Sequence, residues 1–302
     1  MEDWQAMTPR GKKTRAAKEQ RAAARRRLAE SRNPLALRGK RGPFDIVGDV
    51  HGCLNELLDL MATMGYRVQR LDNDFAVAPP PGRTLVFVGD LVDRGPAAPE
   101  VLRLIMGMAR EGTALCVAGN RDTELVRVLR GRAARVTRGM ARSLDQLAKE
   151  PPKFLADVQD FLHGLPSHLV LDEGRLVIAH AGLKEALQGR SSAEARAFAL
   201  HGDLTGEKDA EGLPVRRIWA ADYRGKALVV HGHTPTIEPM WLNNTVNLDT
   251  GCAYGGYLTA LRYPERETFS IPAKAIYYQP RRPFPPNCTV SILRQSRGNS
   301  HG

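Results

Sequence analysis

The hydrophobic pattern of the chain is a series of short aliphatic runs, each stopping at a glycine beside a residue able to bind a metal. "FDIVGD" ends at Asp49, "TLVFVGD" at Asp90, "TALCVAGN" at Asn120, "RLVIAHAG" on His180 and "ALVVHGH" on His233. A sixth run, "TVNLDTG", carries Asp249. Such β-branched and aliphatic runs predict strands. Glycine at their ends permits sharp turns and close backbone approach, so polar side chains leaving separate strands can converge. Helical periodicity intervenes. Leu54, Leu57, Leu58, Met61 and Ala62 follow an i, i+3, i+4, i+7, i+8 stripe that Gly65 ends. The stripe predicts core packing, and the order of elements predicts an α/β fold.

Residues 131–167 break this rhythm with charged, helix-like sequence such as "SLDQLAKE" and "KFLADVQDFLHGL". A helical insertion packed on the body is expected there, with a substrate lid as the other reading.

Charge divides the chain further. Thirteen Lys/Arg face four Asp/Glu over residues 1–43, and residues 280–302 add four arginines and no acid. The net charge of +11 therefore resides in the ends, and the body is slightly acidic. "GKKTRAAKEQRAAARRRLAESR" has almost no large apolar residue, so residues 1–43 are expected to form a disordered basic arm. Neutralising nucleic-acid phosphates is the functional alternative for that arm. The body is expected over 44–279, followed by a Pro/Arg-rich tail over 280–302. No apolar run approaches the ~20 residues of a membrane span, and no secretory signal is visible. Cys53, Cys116, Cys252 and Cys288 lack short paired spacing. This fits a reducing cytoplasm better than a disulfide framework or a thiolate metal site, and Cys53 and Cys252 read as small buried hydrophobes.

The candidate chemistry lies at the strand ends. "GDVHGC" gives Asp49 and His51, "GDLVDRGP" gives Asp90 and Arg94, and Asn120, His180 and His233 follow. Each alone has a bland explanation as a cap or a core histidine, but five such ends in order point to one site. Mixed oxygen and imidazole donors suit Mn2+, Fe or Zn2+ better than Ca2+. Arg94 is suited to clamp a phosphate oxygen. His163, His168 and His201 lack this context and read as structural.

The strings GDVHGC, GDLVDRGP, GN-x-D, AHAGL and GHTP resemble the binuclear, calcineurin-like metallophosphoesterase family. "EALQGR", "WAADYRGKALVVHGHTP" and "NLDTGCAYGGYLTALRYPERE" are similar, more specifically, to the phosphatase domain of bacterial polynucleotide kinase-phosphatase, an RNA repair enzyme, from about Phe44 to Tyr278. The resemblance implies a central β-sandwich flanked by helices on both sides. It implies two divalent transition-metal ions, Mn first, with Fe, Zn, Ni or Co as alternatives. Asp49, His51 and Asp90 would hold the first ion, and Asp90, Asn120, His180 and His233 the second. Arg94 would contact the substrate phosphate and Asp249 would line the same site. The implied substrates are phosphate monoesters at RNA 2′/3′ ends, or nucleotides.

Two features depart from that family. No G-x-x-x-x-G-K-[ST] string is present, so a stand-alone phosphatase is expected. Arg121 also replaces the histidine that the family uses to protonate the leaving oxygen, while the neighbouring Asp122 is retained. Arginine does not release its proton near neutral pH. General acid catalysis is worth roughly 10²–10⁴ in rate, although a guanidinium still stabilises developing charge. Slow hydrolysis of ribose phosphates is expected, or a substrate with a better leaving group. The alternatives are a low-activity regulatory protein that binds RNA ends, and a protein phosphatase or dinucleoside polyphosphate hydrolase.

Overall fold

In the computed structural model, which describes residues 33–279 except 73, 133–135 and 211, the apolar runs pair into two five-stranded sheets. The first has the order β14-β13-β1-β4-β5, formed by Glu267–Pro272, Tyr257–Tyr263, Phe44–Val47, Thr84–Phe87 and Ala114–Cys116. The second has the order β11-β12-β10-β7-β6, formed by Met240–Leu242, Thr245–Asn247, Leu228–His231, Leu176–Ala179 and His168–Leu171. β1, β4 and β5 are mutually parallel, as are β7, β10 and β12. Antiparallel strands complete both sheets, and two separate antiparallel pairs, β2 (Arg67–Arg70) with β3 (Phe75–Ala78) and β8 (Asp203–Lys208) with β9 (Pro214–Arg217), stand outside them. Parallel strands aligned in this way bring the carboxyl ends of the runs that carry the candidate ligands to one side.

Strand periodicity explains the layering, because successive side chains face opposite ways. Ile46, Val86 and Val88 from one sheet meet Ile178, Val230 and Val246 from the other in a shared core. Their neighbours Val47, Leu85 and Phe87 face the opposite way, into a core shared with α1 (Leu54–Thr63) and α2 (Ala98–Glu111). Val177, Ala179 and Val229 face out from the second sheet into a third core with Trp219 and helix Ala193–His201. The result is the expected helix-flanked sandwich, with the inner strands β4, β7 and β10 apolar on both faces and therefore lacking polar alternation.

Helix α1 forms where the stripe predicts it and stops before Gly65, whose φ is +92°. Its buried face is rotated from the expected one: Leu60 and the acidic Glu56 are buried, whereas Ala62 is exposed. The region 131–167 contains helices α4 (Arg138–Leu147) and α5 (Pro152–Gly164), which follow α3 (Asn120–Leu129). Within α4, Ser143 Oγ accepts from Asp93 N at 3.0 Å and Gln146 Oε1 accepts from Ala98 N at 2.9 Å. Those bonds fix the turn that presents Arg94, so α4 is a buttress of the site. Of the expected basic arm, residues 1–32 lie outside the described residues, as does the tail from 280. Residues 33–43, assigned by composition to the arm, return onto the second sheet. Val170 N donates to Pro34 O at 3.0 Å and Asp172 N to Lys40 O at 2.9 Å. Among the described residues no helix is long and apolar enough to cross a membrane.

Ile178 is fully buried between the sheets. Ile178→Ala is expected to cost about 2–5 kcal/mol in urea unfolding, from lost transfer energy and the cavity left behind. A loss below about 1 kcal/mol would place the residue outside the core.

Candidate metal centre

Five of the site's side chains leave turns that backbone geometry alone would disfavour. His51, Asp90, Asp93, Arg94 and His233 have φ of 48°, 49°, 78°, 72° and 73°. Non-glycine residues in this region cost about 1 kcal/mol or more each and persist where surrounding structure fixes them. Here the turns lock one another. His51 N donates to Asp90 O at 2.8 Å, and Gly52 N to Leu91 O at 2.9 Å. Two glycines have no room for a side chain. A Cβ on Gly119 would lie 2.0 Å from Asp90 N, and one on Gly232 would lie 1.9 Å from Asp49 Oδ1.

Two groups of donors result. Asp49, His51 and Asp90 form one, and Asp90, His180 and His233 the other, with the donor atoms of each group within 4.8 Å of one another. Asp90 belongs to both. His51 Nε2 lies 3.6 Å from Asp90 Oδ2, and His180 Nε2 lies 3.4 Å from Asp90 Oδ1. Asn120 joins the second group, its Oδ1 3.0 Å from His180 Nε2 and 3.2 Å from His233 Nδ1.

The donor set fits divalent cations. The Nδ1 of His51 lies 2.9 Å from Val92 O, and that of His180 lies 3.2 Å from Val88 O. An N–H donated to each carbonyl leaves the Nε2 lone pair facing the carboxylates, the tautomer a metal ligand needs. Burial above all keeps these rings neutral: His51 is lowered to about 3, and His180 and His233 also fall below the ordinary value. Burial, then Asp249 and Asp90, push Asp49 well above the usual carboxylate range. Burial also raises Asp249 to about 6. Burial opposes charge on Asp90 too, but His180, His51, Arg121 and Arg94 outweigh it and hold its pKa below the ordinary value. Clustered carboxylates and neutral imidazole lone pairs are the environment a divalent cation stabilises.

The remaining site residues line the approach. The Arg94 guanidinium contacts the His51 ring, lies 3.7 Å from Asp93 Oδ2, and stacks 5.0 Å over Tyr254. Asp249 is buried, and its Oδ1 accepts from Gly251 N at 3.1 Å. Arg121 N donates to Asp90 Oδ1 at 2.9 Å. Its guanidinium is held by Asp93 Oδ2 at 3.2 Å from Nε and by Glu124 Oε2 at 2.8 Å from Nη1. Burial opposes that charge, but Asp90, Asp93 and Glu124 outweigh it and raise the Arg121 pKa. Arg121 is a permanently charged cation at the rim.

The acid partner of residue 121 is not the one its sequence neighbour suggests. Asp122 Oδ1 accepts from Leu91 N at 2.9 Å and Oδ2 from Gly119 N at 3.0 Å. Asp122 thus holds the Asp90 turn to the start of α3 and does not assist Arg121. Asp93, in the quoted string GDLVDRGP but not singled out, is the true partner and contacts both arginines. Tyr254 was equally unforeseen. His168 is structural as expected, its Nε2 accepting from Gly189 N at 2.9 Å.

Nitrogen and oxygen donors buried at strand ends, with two arginines at the mouth, define a hydrolase of phosphate esters. A family model for calcineurin-like phosphoesterases matches residues 42–236, and the chain belongs to that family, whose members use divalent metals. The asymmetrical bis(5′-nucleosyl)-tetraphosphatase PrpE of Anoxybacillus flavithermus is 44% identical over 246 residues, covering 80% of this chain and 99% of that protein. Its Bacillus subtilis counterpart is 40% identical over 242 residues, covering 79% and 98%. A solved structure provisionally assigned as a diadenosine tetraphosphatase is 27% identical, with a TM-score of 0.55 over 77% of this chain and 94% of that one. A protein serine/threonine phosphatase from Saccharomyces cerevisiae, 14% identical with a TM-score of 0.55 over 87% and 91%, shares the fold. The finer resemblance to polynucleotide kinase-phosphatase is thereby corrected, because these relatives carry tetraphosphatase names and give RNA repair no support.

Proton competition should govern metal uptake. Below about pH 6 Asp249 is protonated, and the raised Asp49 also holds a proton that an incoming cation must displace, while the imidazoles are already neutral. Calorimetric titration with Mn2+ is expected to show affinity rising from about pH 5 and levelling above about pH 7, with proton release only at the acid end. A pH-independent affinity would contradict the carboxylate assignment.

Proposed function

We propose that the chain hydrolyses the phosphoanhydride bridge of bis(5′-nucleosyl) tetraphosphates. Asp49, His51 and Asp90 would hold one divalent ion, and Asp90, Asn120, His180 and His233 a second, with Mn2+ the first candidate. When bound, such a pair supplies charge neutralisation to the reacting phosphate and lowers the pKa of the attacking water. Arg94, tethered by Asp93 and Tyr254, binds a non-bridging phosphate oxygen. Asp93 and Glu124 orient the Arg121 guanidinium toward the departing phosphate, where its fixed charge stabilises the charge that develops. Asp249 adds buried negative charge beside Asp49 and so favours cation retention.

The observation that carries this reading is Arg121, a cation clamped between two acids where a proton donor would stand. A ribose alkoxide needs a proton as it leaves, and losing the donor costs roughly 10²–10⁴ in rate. A departing nucleotide phosphate has a second pKa near 6, so it leaves without protonation and is stabilised by positive charge alone. The names of the relatives agree with this chemistry: an asymmetrical split of four phosphates leaves one on one nucleoside and three on the other. The RNA-end reading gives way to the dinucleoside polyphosphate alternative stated beside it.

The test compares Mn2+-loaded wild type and Arg121→His on bis(5′-adenosyl) tetraphosphate, a ribose 3′-phosphate and an aryl phosphate. Wild type is expected to turn over the tetraphosphate fastest. Arg121→His should raise the ribose phosphate rate about 100-fold or more and leave the aryl ester within about tenfold. Equal changes on both esters, or a wild type that prefers the ribose phosphate, would sink the proposal.

A further inference from the structure

Behind the ligand-bearing turns, three side chains from distant parts of the sequence meet in the core of the first sheet. Cys53 precedes α1, Glu56 lies in its first turn, and Cys252 follows the "LDTG" turn. Their sulfur and carboxylate donor atoms lie within 4.8 Å of one another. Cys53 and Glu56 are fully buried and Cys252 is 1% exposed. Both cysteines are free thiols.

The carboxylate is the informative member. Glu56 Oε1 accepts from Lys274 N at 2.9 Å and from Tyr277 Oη at 2.7 Å. Glu56 Oε2 is buried and has no hydrogen-bond partner. A buried carboxylate oxygen without a donor is costly, and glutamate is almost never fully buried unpaired. Nothing in helix packing asks for an acid here, since the neighbouring core positions are Leu57, Leu60 and Met61. The reading of the two cysteines as small buried hydrophobes explains neither their convergence nor the acid beside them.

We propose that Cys53, Cys252 and Glu56 form a third cation site, distinct from the binuclear centre and selective for zinc. Two sulfurs and one oxygen favour a borderline-soft cation over Mg2+, Ca2+ or Mn2+. Zn–S bonds of about 2.3 Å and Zn–O bonds of about 2.0 Å require donor separations of about 3–4 Å, within the observed spacing. Binding is not a redox event. Each thiol gives its proton to solvent as its sulfur takes the metal, and Glu56 binds as the carboxylate with its Oε2 satisfied. The site would be structural. Cys53 stands two residues after His51 and Cys252 three after Asp249, so one cation would tie both turns together. Through Glu56 the same cation would secure the segment carrying Lys274 and Tyr277, whose backbone also bonds Ala253 O.

Cobalt(II) tests this without relying on turnover. The binuclear donors include no sulfur, so near-ultraviolet sulfur-to-cobalt charge-transfer absorption reports on cysteine ligands alone. Full-length wild type loaded with Co2+ as its only divalent metal should show that band, and zinc titration should bleach it. Elemental analysis should give three cations per chain. Cys252→Ser should abolish the band and reduce the count to two, and Glu56→Gln should retain the band but release the cation at lower chelator concentration. Should Cys252→Ser fail to fold, sulfur neighbours at the zinc absorption edge of the wild type give the same answer. No charge-transfer band in cobalt-loaded wild type, a band that survives in Cys252→Ser, or a purified mass two hydrogens low from a Cys53–Cys252 disulfide would each overturn the proposal. None of these readouts depends on the substrate, so failure here is separable from failure of the tetraphosphatase reading.

Discussion

Asp49, Asp90 and Asp249 are buried together, away from the water that would screen them. Burial above all, and then the negative charge of neighbouring carboxylates, raises Asp49 and Asp249 above the ordinary carboxylate range. The histidines beside them are neutral and direct lone pairs inward. The positive groups around Asp90 relieve that residue but leave Asp49 and Asp249 raised. Positive charge from outside the chain, of the kind divalent ions supply in this family, would make this arrangement favourable, and the interlocked turns hold the donors in place for it. Two sheets whose inner strands are apolar on both faces provide the rigidity. Their side chains interlock with three cores, and the ligands emerge only where those strands end.

Much of this was legible in the chain because the same local device recurs. Aliphatic residues lead to a glycine, and the glycine lies beside a ligand, so Asp49, Asp90, Asn120, His180 and His233 announce themselves. The α/β order followed from those runs, and the helix-flanked sandwich from the family resemblance. What stayed hidden depends on distance. Asp122 adjoins Arg121 in sequence, but a helix turns neighbouring side chains apart, and the acid that meets Arg121 comes from another turn. Glu56 lies outside the predicted apolar stripe; it is buried against Cys252 and Tyr277, about two hundred residues away. The arm boundary was placed by charge, which carries no information about where Pro34 and Lys40 find strand partners.

The substrate was the least legible feature. Strings such as GDVHGC and GDLVDRGP describe how phosphate and metal are gripped, and that grip is shared across enzymes acting on different esters. The leaving group is decided by what stands opposite it. A guanidinium fixed by Asp93 and Glu124 stabilises charge but supplies no proton, which favours anhydrides over ribose esters. On the proposed reading Arg121 does not mark decay of the site; it fits the chemistry named for the relatives.

Anomalous diffraction from crystals grown with Mn2+ addresses the shared role of Asp90 directly. Two manganese peaks about 3.5–4 Å apart should flank its carboxylate, one bounded by Asp49 and His51 and the other by Asn120, His180 and His233. A single peak, or an Asp90 side chain turned away from both positions, would contradict it.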